Sequence, residues 1–196
     1  MELVLGPWLA SVGDGAPPAP DADAALMVRY GQGDIGAFEQ LYRRHRASLY
    51  RYVLRLSPSR ADAEEIFQEV WMAVIQGRAR YTPTARFTTF LFAIAHRRIV
   101  DRLRQAARRP RAEMPDDVFD AGPGPQALME NAALGAALAK AVSGLSHEHR
   151  EAYLLRLEGE LSVEEIASVT GVPFETAKSR LRAANRILRE KLGDWK

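Results

Sequence analysis

Five side chains near the C-terminus, Glu175, Lys178, Ser179, Arg182 and Arg186, have the types and spacing for one chemistry: hydrogen bonding and charge pairing with nucleic acid. At about 100° per residue they fall on one arc of a helix. Ala177, Leu181, Ala184 and Leu188 fall on the opposite arc. The small apolar face lets another helix approach closely. The polar, mostly basic face is left to meet base edges and phosphates, as a helix in the major groove of duplex DNA does. An ordinary amphipathic surface helix has the same pattern, so the residues just before it carry the decision. Ser162 followed by Glu165 makes a capping box, with Leu161 and Ile166 as its hydrophobic staple. The helix they start should end near Val169. Gly171 supplies a turn and Pro173 suits the start of the next helix. A capped helix, a glycine turn and a two-faced second helix spell a helix-turn-helix.

Two further sets of side chains need a role. Asp62, Glu65, Gln68 and Glu69 form an acidic, hydrogen-bonding face on the helix DAEEIFQEVWMAVIQG, whose core face is Ile66, Phe67, Val70 and Val74. An acidic patch in a basic region repels DNA and suits a basic protein partner; pairing with nearby arginines of the same chain is the alternative. The loop from Gly77 to Arg86 contains Tyr81 and leads into Phe87, Phe90 and Phe92. The helix that follows should bury Leu91, Ile94, Ala95 and Leu103. It carries His96, Arg97, Arg98, Arg102, Arg104, Arg108 and Arg109 on a basic flank and end. Charges that track phosphates beside rings that stack on bases suit single-stranded nucleic acid, although most of these rings are at core spacing and are expected inside.

Covalent and metal chemistry find no support. The chain has no cysteine, so it has no disulfide, thiolate site or cysteine nucleophile. His147-Glu148-His149 lacks the i,i+4 spacing of a helical metal pair and reads as a helix start capped by Ser146. His45 lies on an apolar stripe and reads as an interior or boundary histidine. There is no glycine-rich phosphate loop and no recognisable triad. The expectation is therefore a non-enzyme with no catalytic residues, no metal and no cofactor. No apolar run approaches a membrane span, and the N-terminus does not resemble a signal peptide, so membrane insertion is not expected and a cytoplasmic location is.

The elements that position these sets are all helical. The chain of 196 residues has a net charge of +2 that hides strong segregation. Residues 29–111 carry 17 basic against 7 acidic side chains, 112–130 carry 5 acidic and no basic, and 170–196 carry 7 basic against 3 acidic. Two basic blocks around an acidic connector suggest two polyanion-binding modules. The fold class is read as all-α: two small helical domains joined by a flexible linker, the second with the helix-turn-helix. The expected organisation is a Pro/Gly/Ala-rich disordered extension over 1–22, a first helical domain over 23–109, an acidic Pro/Gly linker over 110–126 and a second helical domain over 127–196.

In the first domain, AFEQLYRRHRASLYRYVLRL, DAEEIFQEVW and FTTFLFAIAHRRIVDRLR follow one another; in the second comes LSHEHREAYLLRLEGELSVEEIASVTGVPFETAKSRLRAANRILREKL. In this order and spacing they resemble regions two and four of a bacterial sigma factor of the extracytoplasmic-function (ECF) type, over about Ala25 to Leu192. The helix-turn-helix alone is also similar to that of LuxR-type transcriptional regulators, which act without joining core polymerase as a sigma subunit; the upstream segment separates the two readings.

The resemblance implies a promoter-specificity subunit of RNA polymerase that starts transcription. By motif match, Asp62, Glu65, Gln68 and Glu69 would dock on the clamp helices of the largest core subunit. The loop and the start of the following helix, with Tyr81, Arg86, Thr88, Thr89, His96, Arg97, Arg98 and Arg102, would read and melt the −10 element. Glu175, Thr176, Lys178, Ser179, Arg182 and Arg186 would meet the −35 element, and the same domain would touch the polymerase flap. The acidic linker would run through a basic channel of the polymerase. An anti-sigma factor is a further expected partner. Two departures stand out: His96-Arg97 replaces the family's frequent Arg-Asn pair, and Phe90 replaces a frequent Trp. Asn pairs with a base edge through both a donor and an acceptor, whereas Arg offers only donors, so −10 sequence preference is the property most affected.

Overall fold

The computed structural model describes residues 21–108 and 132–193. Residues 1–20 of the expected extension and all of the expected linker over 110–126 lie outside the described residues. Every regular element among the described residues is helical, as the sequence suggests: α1 Ala22–Gly31, α2 Ile35–Leu56, α3 Arg60–Gly77, a short 3-10 turn Arg78–Arg80, α4 Phe87–Arg108, α5 Ala132–Ser143, α6 His147–Glu158, α7 Val163–Thr170 and α8 Phe174–Gly193.

The helix starts are set by short polar side chains that accept from otherwise unpaired backbone N–H groups. Asp34 accepts from Ala37, Ser59 from Asp62 and Ser146 from His149. Asp21 caps two helices at once: its Oδ1 accepts the Asp23 N–H at 3.1 Å and its Oδ2 accepts the Phe87 N–H at 2.6 Å. One carboxylate thus sits at two helix N-termini, where the dipoles favour negative charge, and ties the start of α1 to the start of α4. Asp21 and Ala22, just ahead of the expected boundary at Asp23, thus take part in the first helix and its cap.

α1 to α4 pack around Leu41, Leu49, Tyr52, Ile66, Val70, Phe87, Leu91 and Ile99, all fully buried. Of the three rings at the start of α4, Phe87 and Phe92 are inside and Phe90, expected at core spacing beside Phe87, is half-buried. Ile94 and Leu103, expected inside, are only half-buried. His45 is buried against Asp23, 2.8 Å from its carboxylate, and is a satisfied interior histidine.

In the second set, α8 lays Ala177, Ala184 and Leu188 on α6 and α7, with Leu181 half-buried at the edge. Small residues let the helices approach. Gly171 closes α7 with φ +67°, a left-handed conformation open to glycine. The two helical sets are not separate bodies. α6 packs on α2, α7 packs on α4, and the buried apolar side chains of both form one continuous cluster.

Candidate nucleic-acid interface

The outward row of α8 is the simplest surface. The capping box is complete, with the Glu165 N–H donating to Ser162 Oγ at 3.2 Å and the Ser162 N–H donating to Glu165 Oε2 at 2.8 Å. Such a cap contributes about 1 kcal/mol to a helix, and here it fixes the helix against which α8 is docked. On α8, Glu175, Ser179, Arg182 and Arg186 are exposed, and Thr176 and Lys178 are half-buried. Lys178 pairs with Glu175 at 3.3 Å and lies over the Phe174 ring, 5.3 Å from its centroid. Arg186 pairs with Glu190 at 3.0 Å. Arg182 has no ion-pair partner among the described residues. The sequence reading missed Phe174, a large apolar side chain exposed at the head of this row; its position one residue after Pro173 is the signal that would have found it.

The acidic row of α3 is exposed along Glu65 and Gln68, with Asp62 and Glu69 half-buried. It is paired within the chain. Arg102 Nη1 reaches Asp62 at 3.1 Å and Glu65 at 2.9 Å, Arg102 Nη2 reaches Glu69 at 3.9 Å, and Arg98 Nε lies 3.5 Å from Glu69. The hydrogen bond to Glu65 holds the Arg102 guanidinium above its ordinary pKa, with the charges of Glu65, Asp62 and Glu69 adding to the effect. Arg102 and Arg98, placed by the sequence among the −10 residues, therefore face the carboxylates of α3. Met72 continues this row one turn beyond Gln68 and is 50% exposed; its i+4 spacing from Gln68 is readable from sequence and was not used.

The remaining residues expected at the −10 element fall into two groups, with Arg97 apart from both. Tyr81 packs its ring on Phe90 at 5.2 Å, and burial raises its phenol pKa, with the Asp21 charge adding to it. The hydroxyls of Tyr81 and Thr88 are buried without a hydrogen-bond partner among the described residues. Arg86, Thr89 and His96 instead meet the second helical set. Arg86 Nη1 donates to the Glu160 carbonyl at 3.3 Å and lies 3.5 Å from Glu165 Oε2. Thr89 Oγ1 donates to Glu165 Oε1 at 2.6 Å. His96 Nδ1 lies 2.7 Å from Glu151 Oε1; a carboxylate only accepts, so this nitrogen carries the hydrogen. Arg97 is exposed on the flank of α4.

Among the described residues no three His, Asp or Glu side chains are grouped to hold a metal ion, and no helix is long and apolar enough to cross a membrane.

Known proteins share both the sequence pattern and the fold. The chain matches Sigma-70 region 2 over residues 41–109 and Sigma-70, region 4 over residues 135–187. It is 31% identical over 177 residues to the ECF RNA polymerase sigma factor SigE of Mycolicibacterium smegmatis, covering 88% of this chain and 68% of that protein. It is 32% identical over 180 residues to the RNA polymerase sigma factor CarQ of Myxococcus xanthus, covering 86% and 96%. Its fold is similar to that of the sigma factor RpoE in complex with the anti-sigma factor NepR from Bartonella quintana. That match has a TM-score of 0.61 at 21% identity and covers 81% of this chain and 98% of that one.

Proposed function

This chain belongs to the ECF sigma factors of RNA polymerase, and we propose which of its surfaces carry out each part of that work. As a sigma factor it directs core polymerase to promoters. In our reading residues 23–109 are region two, 110–126 the connector and 127–196 region four. The single observation that carries the assignment of region four as a DNA reader is the outward row of α8, polar and mostly basic behind an apolar inner face, set by a complete capping box.

Region four enters the major groove of the −35 element with Glu175, Thr176, Lys178, Ser179, Arg182 and Arg186, and touches the polymerase flap. Arg182 and Arg186 have the long donor forks that reach base edges and phosphates. Region two docks through Asp62, Glu65, Gln68 and Glu69 on the clamp helices of the largest subunit. Support comes from their position on one face of α3, with Glu65 and Gln68 exposed and Asp62 and Glu69 half-buried. The internal partners Arg98 and Arg102 do not oppose this, because a basic partner surface can share partly exposed carboxylates at small cost.

The −10 element falls to the loop before α4 and to α4 itself: Tyr81, Arg86, Thr88, Thr89, His96, Arg97, Arg98 and Arg102. The hydroxyls of Tyr81 and Thr88 support a base pocket there, since buried donors without partners are uncommon, and a base edge taken from the stack offers acceptors. The protein works as a specificity subunit and performs no catalytic step itself. Its site of action is the cytoplasm, with the polymerase. By likeness to RpoE and NepR, an anti-sigma factor is a further partner.

Reconstitution tests this. The purified chain should co-elute with core polymerase on a sizing column and support runoff transcription from a cognate promoter. A chain that binds duplex DNA but never joins core would instead be a LuxR-like regulator.

A further inference from the structure

The loop from Gly77 to Arg86 is gripped at both ends by one helix, α1. At its exit the chain enters α4, and the residue ahead of α4 is Arg86, which has no side-chain acceptor for the first N–H groups of the helix. The Phe87 N–H is taken instead by Asp21 Oδ2 at 2.6 Å, from 66 positions earlier in the chain. The other oxygen of Asp21 caps α1. At the entrance, Gly31 ends α1 directly against Arg78. A Cβ added to Gly31 would lie 2.7 Å from the Arg78 carbonyl oxygen, closer than a side chain can stand to backbone, so this approach requires glycine. Beside it the Arg78 guanidinium lies over the ring of Tyr30, 5.6 Å from its centroid.

Between the two grips α1 is firmly seated. Leu26, Met27 and Tyr30 are buried in the core. Polar ties hold the helix to α2: Asp23 takes His45 at 2.8 Å and also Arg44, and Arg29 Nε donates at 3.0 Å to Asp34, the cap of α2. Helix ends fray when their polar groups are left free, and here one anchored helix steadies the end of α3 and the start of α4 together. The buried hydroxyls of Tyr81 and Thr88, without partners among the described residues, lie three residues beyond Arg78 and one beyond Phe87. The grips therefore set where both hydroxyls stand. A loop ordered in advance does not have to be ordered on binding, which raises affinity for the strand that fits it.

We propose that α1 is a splint for the −10 loop, with Asp21 and Gly31 as positioning residues: they touch no DNA, and they hold the loop in the conformation that presents Tyr81 and Thr88 to a base. The proposal rests on the reading that this loop and α4 take the −10 element. Core docking on α3 and −35 binding by α8 are independent of the splint, so its loss is a selective defect in −10 sequence preference.

The test uses the full chain with Asp21→Ala and, separately, Gly31→Ala, which release opposite ends of the loop. Asp34→Ala is the control: it removes a helix cap and the Arg29 pair nearby and leaves both grips in place. The chain has no cysteine, so Thr84→Cys, exposed within the loop, takes a single nitroxide label whose spectrum reports loop motion. Sequence preference is read on the unlabelled chain joined to core polymerase, by sequencing what it captures from a single-stranded DNA pool of random sequence. Apparent affinity scales with the fraction of chains in the competent conformation. A loop that keeps its shape about one-tenth of the time should therefore lose about tenfold in enrichment of the preferred strand. Both grip variants should show a faster label and that loss, at unchanged core affinity. Asp34→Ala should show neither, even where its thermal midpoint falls as far as theirs. A label equally immobile in the wild type and both grip variants, or the same loss of enrichment from Asp34→Ala at matched stability, overturns the splint. The underlying reading fails differently. A wild-type holoenzyme that enriches no sequence removes that reading and the proposal with it, whereas a preference kept in full by both grip variants removes the proposal alone.

Discussion

Thr89 Oγ1 donates a 2.6 Å hydrogen bond to Glu165 Oε1, joining two residues 76 apart in sequence, while the other oxygen of Glu165 accepts the Ser162 N–H and completes the cap of α7. One carboxylate therefore starts the helix-turn-helix and holds it to α4. Thr89→Val removes only the bond between domains. Glu165→Ala removes that bond and the return arm of the capping box. A double-mutant cycle read by urea unfolding should give Glu165→Ala a loss of about 1–2 kcal/mol. The coupling between the two positions should be about 1 kcal/mol. Strict additivity would mean that the two side chains do not interact in solution.

The acidic row predicts a selective defect. Charge reversal of Asp62 and Glu65 to Lys should lower affinity for core polymerase and leave the binding of −35 duplex by α8 intact. It also sets two cations beside Arg102, which now bonds to both carboxylates, so a modest loss of about 1 kcal/mol in stability accompanies it. Titration with core, beside duplex binding by the same preparation, checks both halves. Undiminished core affinity would reject α3 as the docking face.

Local features of the fold were legible in the sequence; among pairings between distant elements, only that of the acidic row of α3 with arginines of the same chain was, and not which arginines. Ser162, Glu165, Gly171 and Pro173 act within a few residues of one another, so the cap, the left-handed turn and the second helix could be read in order. The buried arc of α8, Ala177, Ala184 and Leu188, follows from helical periodicity alone. His96 was different. Its neighbours in sequence placed it on a basic flank beside arginines, but its partner Glu151 is 55 residues away on another helix. Arg102 was grouped with the −10 arginines for the same reason, although its carboxylates come from α3, about 40 residues earlier. Periodicity reports which face a residue occupies and says nothing of which helix will cover that face. The position of α6 and α7 on α2 and α4 is a tertiary result of shape and charge.

Alkaline pH should loosen the packing of α6 on α2 through Tyr52, whose hydroxyl donates to Glu151. Burial, and then the neighbouring Glu151 charge, hold this phenol well above its ordinary pKa, which is about 10 in an open chain. The unfolded chain releases the proton at lower pH than the folded chain does. The stabilisation is therefore complete below about pH 10 and is lost as pH rises toward the raised folded value. Urea midpoints measured from pH 8 to 11 should fall at the upper end, and Tyr52→Phe should flatten part of that fall. Tyr81 and Tyr153 are also raised, chiefly by burial, so some slope will remain in the variant. A wild-type midpoint that is flat throughout would mean that folded and unfolded chains release the proton over the same pH range, so that the fold does not hold Tyr52 above its ordinary pKa.

Arg182 separates a reading helix from a merely basic one. It is exposed on α8, one turn beyond Lys178 and one turn before Arg186, and both of those side chains have carboxylate partners on their own helix. Arg182 has none among the described residues, so its guanidinium can meet DNA without first giving up an ion pair. If it bonds a base edge, Arg182→Ala should weaken binding of cognate −35 duplex by about 1–3 kcal/mol and relax preference at one base position. If it bonds only phosphate, the loss should be similar for every sequence and the dependence of log affinity on log salt should shallow by about one unit. Anisotropy on a cognate duplex and a scrambled duplex, each at several salt concentrations, distinguishes the two modes. Binding unchanged in both would remove Arg182 from the interface. The role would then pass to its paired neighbours, whose contribution to affinity is reduced by the ion pairs they must first break.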